Sequence, residues 1–432
     1  MRVFQKRLQN LFTLVFFLST ISACSNSNQH LLEKVHLTAT QTAQPSFTPS
    51  LTSTPTLTPT PKPINKLARV CDEGWATIQD TSNLNGSLVY SAENGVILFD
   101  ISSSNTKRIF TGVRYPDVSI SPNRTTIATE ETRWNGFKII QQRIRIASNG
   151  KETSIVLPET IWVSYFIDDQ KIFLTSQDVL DENYVGSGTT DKFYILSLDK
   201  EKFSANSVFL PKFSLREHQF KGPNDNMNPP WTEYSPNLKY VVYPIQQGWD
   251  KNFILNIENG NTTLFDWDKN SFAAPYPFWR PDSMALTIVK PDDDSRENYF
   301  NIDLGGNLTQ LTRLKDIADW YFLESSGQWS PNSRFLAFPI YFSAKTTEGN
   351  SGTIYILDTQ TGHILDLCYS EPWPQLNGGF TWSLDSRYLA VYESGQTHII
   401  DLGNKVLYNI QLNKATKLNA FPLRGWAAWE LP

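Results

Sequence analysis

A short pattern recurs seven times along this chain: a bulky aromatic or apolar residue, a tight turn, and a strand rich in apolar and β-branched residues. In the best copies, Trp329 precedes Ser330-Pro331-Asn332 and Trp382 precedes Ser383-Leu384-Asp385. We call the residue before each turn the anchor; the seven anchors are Ile120, Phe166, Tyr234, Trp279, Trp329, Trp382 and Trp429. Such a repeat must be settled before any local motif, because it decides the fold.

The anchors follow one another at intervals of 45 to 53 residues, except for one interval of 68. This is the size of one four-stranded blade of a β-propeller. Most units also contain a later strand that runs into a hairpin turn, as Ile354–Asp358 does before Thr361-Gly362. The period therefore predicts an all-β fold, a seven-bladed β-propeller.

The turn after each anchor has a physical logic. Proline fixes φ near the value that a turn needs and has no N–H for a sheet ladder, so the first strand ends there. Asparagine or aspartate then bonds to its own backbone. The aromatic anchor is expected to fill the wedge between neighbouring blades, a burial of about 2–3 kcal/mol each.

The two ends of the repeat region complement each other. The first unit, Ser87–Tyr90 followed by Gly95–Asp100, has the later strands of a blade but no anchor strand before it. The segment Arg424–Trp429 is an anchor strand with no blade after it. We therefore expect the C-terminal strand to complete the first blade and close the ring, which removes the open sheet edges.

The repeats resemble the WD40-like propeller repeats of the TolB family, whose signature is an aromatic residue, then Ser-Pro-Asp-Gly, then a strand. The resemblance covers nearly all of the chain after residue 85. Three departures stand out: Asn replaces Asp in several copies, the glycine is absent throughout, and the copy at Phe166 is degenerate. TolB pairs a six-bladed propeller with an N-terminal α/β domain for which this chain has no room, so a Tol-type role is not implied.

Residues 1–23 have the pattern of a lipoprotein signal peptide. A positively charged start is followed by an apolar run, Leu11–Ile21, that is too short to span a membrane. Ile21-Ser22-Ala23-Cys24 then resembles a bacterial lipobox, in which the cysteine is acylated. We expect a protein anchored to the cell membrane through Cys24 and facing the extracytoplasmic side, either periplasm or cell surface. The alternative is an ordinary secretory signal with a chance cysteine.

Residues 24–68 are predicted to be a disordered Thr/Pro-rich linker, and residues 69–432 to be the propeller. A Thr/Pro composition cannot bury a core and favours extended polyproline II conformations. The linker is either a stalk that lifts the propeller away from a membrane or a tether without a length requirement.

Two further cysteines, Cys71 and Cys368, form an even pair in an exported chain. Cys71 precedes the first blade and Cys368 follows the late strands of the sixth. A possible disulfide between them would clip the leading segment to the ring. The alternative is two buried free thiols.

No catalytic, cofactor-binding or metal-binding residue is predicted. The chain has no G-x-S-x-G, and the histidines after the linker, His218, His363 and His398, lie in different units without metal-ligand spacing. The acidic cluster Asp292–Asp294 is expected to be a solvated hairpin loop, with a Ca²⁺ site as the alternative. From these absences we expect that the protein is not an enzyme.

Binding is the function that remains. A net charge of -5 with 19% charged residues makes nucleic acid an unsuitable partner. The 68-residue interval is a candidate contact loop, and so are four tryptophans outside the anchor positions: Trp231, Trp249, Trp320 and Trp373. We expect a binding or scaffold module for a protein, peptide or glycan at the propeller loops. The alternatives are a polysaccharide lyase or glycosidase, and a structural subunit of an envelope complex.

Overall fold

Strands account for nearly every regular element of this chain. The computed structural model describes residues 65–113, 116–135, 138–148, 151–157, 161–176, 193–198, 206–207, 233–244, 251–256, 258–266, 277–317, 321–323, 327–342, 351–368, 371–372, 379–393, 396–411 and 423–428. Within these ranges the one helical element is a single 3₁₀ turn, Leu314–Asp316. The prediction of an all-β fold is confirmed.

In chain order the first strands are β1 Lys66–Arg69, β2 Ala76–Ile78, β3 Ser87–Ala92, β4 Gly95–Asp100, β5 Thr106–Ile109, β6 Val118–Ile120, β7 Thr126–Asn135, β8 Lys138–Ser148, β9 Lys151–Val156, β10 Ile161–Asp168, β11 Lys171–Ser176, β12 Phe193–Ser197, β13 Asn206–Ser207, β14 Glu233–Tyr234, β15 Tyr240–Pro244, β16 Lys251–Asn256 and β17 Thr262–Asp266. The remaining strands are β18 Phe278–Trp279, β19 Ala285–Pro291, β20 Glu297–Asp303, β21 Leu308–Gln310, β22 Phe322–Leu323, β23 Gln328–Trp329, β24 Phe335–Phe342, β25 Ser351–Asp358, β26 His363–Asp366, β27 Glu371–Pro372, β28 Phe380–Trp382, β29 Tyr388–Glu393, β30 Gln396–Asp401, β31 Val406–Gln411 and β32 Leu423–Ala427.

The strands form seven sheets, one for each blade. Blade 1 has the order β32-β3-β4-β5, and blades 2 to 5 each use four consecutive strands from β6 to β21. Blade 6 is built on β23 to β26 and blade 7 on β28 to β31, with β22 and β27 as small additions to blade 6. Neighbouring strands within each blade are antiparallel. The predicted seven-bladed propeller is confirmed.

The core of the ring lies between the blades. The described residues form seven buried apolar clusters, and each cluster combines side chains of two neighbouring blades. Between blades 5 and 6, for example, Tyr299 packs against Phe338 with ring centroids 4.8 Å apart. Trp329 in the same cluster donates its indole N–H to Thr287 Oγ1 of blade 5 at 2.8 Å. The anchor aromatics therefore fill the inter-blade wedges, as the repeat predicted.

The Ser-Pro-Asn turn is held by its own side chains. In blade 6 the Ser330 hydroxyl donates to Asn332 Oδ1 at 2.7 Å and accepts the Phe335 N–H at 2.9 Å. The same pair of contacts recurs in blades 2, 4 and 7. The residue that stands where the TolB signature has glycine adopts a positive φ in five turns: Arg124 (65°), Leu238 (57°), Ser283 (60°), Ser333 (59°) and Ser386 (63°). The turns thus keep the glycine conformation without glycine, at a strain of order 1 kcal/mol each.

The segment before blade 1 covers the outer edges of two blades. β1 pairs in parallel with β26 at the edge of blade 6, and β2 pairs in parallel with β31 at the edge of blade 7. β1 begins at Lys66, three residues before the boundary predicted at 69. An added strand satisfies edge N–H and C=O groups that would otherwise be open to pairing with another chain.

Cys71, which lies between β1 and β2, forms a disulfide with Cys368, and the two Cα atoms are 6.1 Å apart. This separation lies within the range of protein disulfides. The bond links the leading segment to the end of blade 6, where Cys368 follows β26. Nearby, Arg69 pairs with the carboxylate of Asp366 at 3.3 Å.

The ring closes by pairing of the two ends of the propeller. β32 lies antiparallel to β3, with Trp426 opposite Leu88. Trp329 and Trp382 occupy the same position opposite the second strands of their own blades. The predicted closure by the C-terminal strand is therefore confirmed, but the closing anchor is Trp426 and not Trp429, which lies outside the described residues. The pattern misled because two tryptophans, Trp426 and Trp429, lie three residues apart in this segment.

We predict that the Cys71–Cys368 disulfide contributes to the stability of the exported protein. Cys368→Ser should lower the free energy of unfolding by about 2–4 kcal/mol, because the reduced chain regains loop entropy in the unfolded state. Urea denaturation measures the loss, with wild-type protein in reductant as the matched control. Alkylation of both thiols in unreduced protein, detected by mass spectrometry, would contradict the bond.

Candidate functional site

The turns of neighbouring blades are linked by hydrogen bonds around one face of the ring. The third residue of a turn donates its N–H to the side chain of the fourth residue in the next turn. These contacts are Asn237 to Ser283 Oγ at 3.1 Å, Asp282 to Ser333 Oγ at 3.3 Å and Asn332 to Ser386 Oγ at 3.0 Å. Between blades 2 and 3 the acceptor is the carboxylate of Asp169, at 2.8 Å from the Asn123 nitrogen.

Blade 1 cannot make the same link, because its two inner strands, β32 and β3, come from opposite ends of the propeller and no turn joins them. Here the Ala428 N–H donates to the Arg124 carbonyl oxygen at 2.8 Å instead. We call the junction between blades 7, 1 and 2 on this face the seam. It is the one place in the described ring where closure replaces the repeated turn.

A cleft of about 510 Å³ opens at the seam, and we call it the seam cleft. Its lining comes from the segment before β3, from the turn of blade 7, from the turn of blade 2 and from the end of β32. The lining residues are Asn83, Asn85, Gly86, Arg124, Ser383, Leu384, Asp385, Tyr388, Trp426 and Ala428. The volume falls within the range of small-molecule sites in proteins, about 300–1,000 Å³.

Two aromatic rings form a fixed wall of the cleft. Trp426 and Tyr388 lie with ring centroids 6.0 Å apart and planes 30° apart. The Trp426 indole N–H donates to the Asn85 carbonyl oxygen at 3.2 Å. Arg387 lies over the Tyr388 ring, 4.9 Å from its centre, and is itself held by two hydrogen bonds of 3.1 and 2.7 Å to the buried carboxylate of Asp401. The wall is thus preorganised.

Arg124 brings a positive charge to the cleft. Its side chain is partly buried, and no carboxylate among the described residues pairs with its guanidinium. Burial lowers the pKa of Arg124 below its ordinary value, since desolvation penalises the charged form. An arginine pKa starts so far above neutrality that the group stays charged. Arg124 is therefore a desolvated cation with no counter-charge among the described residues, an arrangement that suits an anionic ligand.

The carboxylate of Asp385 also lines the cleft, but the turn already uses one of its oxygens. Asp385 Oδ1 accepts the Ser383 hydroxyl at 2.6 Å and the Arg387 N–H at 3.1 Å. The other oxygen, Oδ2, accepts no hydrogen bond from a described residue and can receive one from a ligand. The cleft therefore offers a cation, an acceptor and an aromatic wall that face the same space.

The close approach of the ends at the seam requires glycine at position 86. Gly86 has φ +97°, and a Cβ there would lie 2.6 Å from the Ala427 oxygen and 2.7 Å from Trp426 Nε1. Gly379 of blade 7 is similar, since a Cβ there would lie 2.5 Å from the Leu423 oxygen. Both glycines let backbone pack directly on the closing strand.

Most other candidates from the sequence fall elsewhere. The described residues do not include Cys24, His218 or the four additional tryptophans, nor residues 181–188 and 216–223 of the 68-residue interval. Asp292 forms the turn of the β19–β20 hairpin, where its carboxylate accepts the N–H groups of Asp294 and Arg296. His363 and His398 belong to different blades. Across the described ranges, no three His, Cys, Asp or Glu side chains group as a metal site would require.

A second cleft, of about 570 Å³, lies on the strands of blade 2. Its arginines are engaged with neighbouring groups. Arg145 pairs with Glu152 at 2.8 Å and donates to the Thr111 carbonyl oxygen at 2.7 Å. Arg143 lies 3.7 Å from the carboxylate of Glu131. Because these charges already satisfy one another, the seam cleft is the stronger candidate site.

Sequence reasoning did not find Arg124, Asn85 or Trp426. One signal was present: the first unit has no anchor turn, so the ring of turns had to be interrupted next to it. A second signal was the arginine at the fourth position of the turn in blade 2, where blades 5 to 7 have serine. Neither signal reveals a cleft until the closing strand is in place.

No protein-family model matches this chain, and no curated protein matches it. Among solved structures it is similar to TolB from Acinetobacter baumannii, with 13% identity over 79% of this chain and 82% of that one and a TM-score of 0.39. It is similar to the periplasmic gluconolactonase of Pseudomonas aeruginosa, with 14% identity, 76% and 95% coverage and a TM-score of 0.43. A proposed 6-phosphogluconolactonase of Bacteroides uniformis gives 10% identity, 80% and 98% coverage and a TM-score of 0.42. At these identities the likeness concerns the propeller fold alone.

The expectation that the protein is not an enzyme is wrong as it was reasoned. Several of the similar structures are described as gluconolactonases, so propellers of this architecture include enzymes. The missing G-x-S-x-G and the scattered histidines exclude only mechanisms that need those motifs. A propeller can carry catalytic groups on loops without a sequence signature, since function lies in sites grafted on a fold.

We predict that Gly86→Ala destabilises the seam. Alanine disfavours the positive φ of residue 86, and its methyl group would clash with the closing strand. The free energy of unfolding should therefore fall by more than about 2 kcal/mol. Gly112→Ala is the matched control, because Gly112 has φ +89° but nothing within 4 Å of its added Cβ. Equal losses for the two variants in urea denaturation would show that the contact with β32 is unimportant.

Proposed function

We propose that this chain is a lipid-anchored extracytoplasmic propeller that serves as a binding or scaffold module, with the seam cleft as its ligand site. The observation that carries the proposal is the cleft itself: about 510 Å³, lined by a fixed aromatic wall and by a guanidinium that pairs with no carboxylate of the described residues. Concave clefts with few, well-placed polar groups are the usual form of ligand sites.

The location outside the cytoplasm rests on two features. The lipobox-like Ile21-Ser22-Ala23-Cys24 follows a short apolar run, and acylation of Cys24 would tether the chain. The geometry of Cys71 and Cys368 suits a disulfide, and disulfides persist in oxidising compartments. Among the described residues, no helix combines the length and apolar character needed to cross a bilayer.

The leading segment gives such a tether a firm attachment. β1, the Cys71–Cys368 link and β2 fix residues 66–78 along blades 6 and 7 before the chain reaches blade 1. Between Cys71 and β2, Glu73 forms an ion pair with Lys405 of blade 7 at 2.9 Å. A pull on the N-terminal side would therefore be borne by the outer edges of two blades, and the closing strand β32 would not carry it.

We predict that wild-type protein incorporates labelled palmitate and partitions with membranes, whereas Cys24→Ala does neither. Loss of the acyl chains removes about 0.8 kcal/mol per buried methylene of membrane affinity. Cys71→Ala is the matched control and should retain the label. Protein solubilised from membranes should carry a stoichiometric ligand or partner, which native mass spectrometry would detect.

Two results would count against the proposal. Palmitate incorporation into Cys24→Ala would place the lipid on another residue or show non-specific labelling. Solubilised protein that carries no ligand and is stabilised by none of a broad panel of peptides and glycans would argue against binding, because a ligand that binds the native state must raise its stability.

A further inference from the structure

The charged, polar and aromatic groups that line the seam cleft favour one class of ligand. We propose that it binds a ligand that combines a carboxylate with a hydrogen-bond donor, with Arg124 holding the carboxylate and Asp385 Oδ2 accepting from the donor. This inference rests on the proposed binding function and adds the identity of the group recognised. A sugar acid, with its hydroxyls, and the C-terminal residue of a peptide, with its amide N–H, both have this chemistry.

Arg124 occupies a position in the repeat at which other blades have a residue bonded to the preceding turn. In blades 5, 6 and 7 the fourth turn residue is a serine, and its hydroxyl accepts an N–H from the preceding turn. Arg124 stands at that position in blade 2, with φ 65°, but the preceding blade has no turn to donate. Its side chain is thus released from the ring of contacts and lines the cleft.

The Arg124 guanidinium is held partly out of water. Among the described residues its side chain has no ion pair, whereas Arg334 and Arg387 in the neighbouring turns each bind a carboxylate through two hydrogen bonds. Taking a charge out of water without a partner is unfavourable. A planar guanidinium matches a carboxylate through two parallel hydrogen bonds, so a bound carboxylate would remove this cost.

Asp385 and the two aromatic rings of the cleft would contact the rest of the ligand. Asp385 forms no ion pair with a described residue, and its Oδ2 is open to a donor, while Oδ1 serves the turn. The Trp426 and Tyr388 rings offer an apolar wall for a sugar face or a side chain. A dianion such as a phosphate ester would place extra negative charge beside Asp385, so a single carboxylate with a donor fits better.

Isothermal titration calorimetry measures the binding of two families of probes to the full-length protein. One family is D-glucuronate with D-glucose as its neutral partner; the other is acetyl-Gly-Leu with a free C-terminus and its C-terminal amide. We expect one family to bind through its carboxylate member and its neutral member to bind at least tenfold more weakly. The family that binds identifies the source of the carboxylate.

Arg124→Gln should weaken binding of the carboxylate probe by at least tenfold, whereas Arg124→Lys should retain part of the affinity. The matched control is Arg133→Gln, which removes the same charge from the cleft on blade 2 and should leave affinity unchanged. Melting temperatures near the wild-type value show that each variant is folded.

Equal affinity of wild-type protein and Arg124→Gln for the probe would overturn the inference. Absence of binding by both carboxylate probes at millimolar concentration would overturn it too. If solubilised Arg124→Gln still carries the ligand or partner of the wild-type protein, the carboxylate site is refuted while the proposed function stands. Loss of that ligand from Arg124→Gln, but not from Arg133→Gln, supports both.

Discussion

The pairing of β32 with β3 is the interaction on which the rest of this structure depends. Each blade buries its apolar side chains only against its neighbours, so a ring left open would expose two such faces. The cluster between blades 7 and 1 contains Trp426, Tyr90 and Tyr392, and the Tyr90 hydroxyl lies 2.8 Å from Thr397 Oγ1 across the junction. Closure buries the two faces that an open ring would expose, in an inter-blade interface of the same kind as the others.

The same closure creates the candidate site. Where a blade is made from a continuous stretch of chain, a turn follows the anchor, and at four junctions this turn bonds to the next turn. Blade 1 is made from two distant stretches, so that turn is missing and a cleft remains. The seam cleft is thus a consequence of topology, and Arg124 and Asp385 are the polar groups that the adjoining turns supply to it.

Much of this architecture could be read from the sequence, because the information is local and repeated. The aromatic anchor, the serine hydroxyl and the asparagine carboxamide form contacts within a few residues, so six anchors mark their strands correctly. The closing anchor was misplaced at Trp429 because register in an isolated strand cannot be settled without its partner. Pairing with Leu88 gives the position to Trp426.

The site was beyond the sequence for a different reason. Arg124 acquires its role because blade 1 has no anchor turn, and that absence, although visible in the sequence, reveals a cleft only when β32 lies beside β3. The edge strands β1 and β2 were also missed, since parallel pairing to blades 6 and 7 leaves no period in so short a segment. The candidate site accordingly depends on contacts between distant parts of the chain.

Closure by the chain end can be tested most directly by removing it and adding it back. A chain ending at residue 422 should lose cooperative unfolding and melt well below the full-length protein, because both faces of the seam are exposed. A synthetic peptide of residues 423–432 should restore part of the melting temperature, and the same peptide with Trp426→Ala should not, whereas one with Trp429→Ala should. A truncated chain that kept the full-length melting temperature would contradict the account.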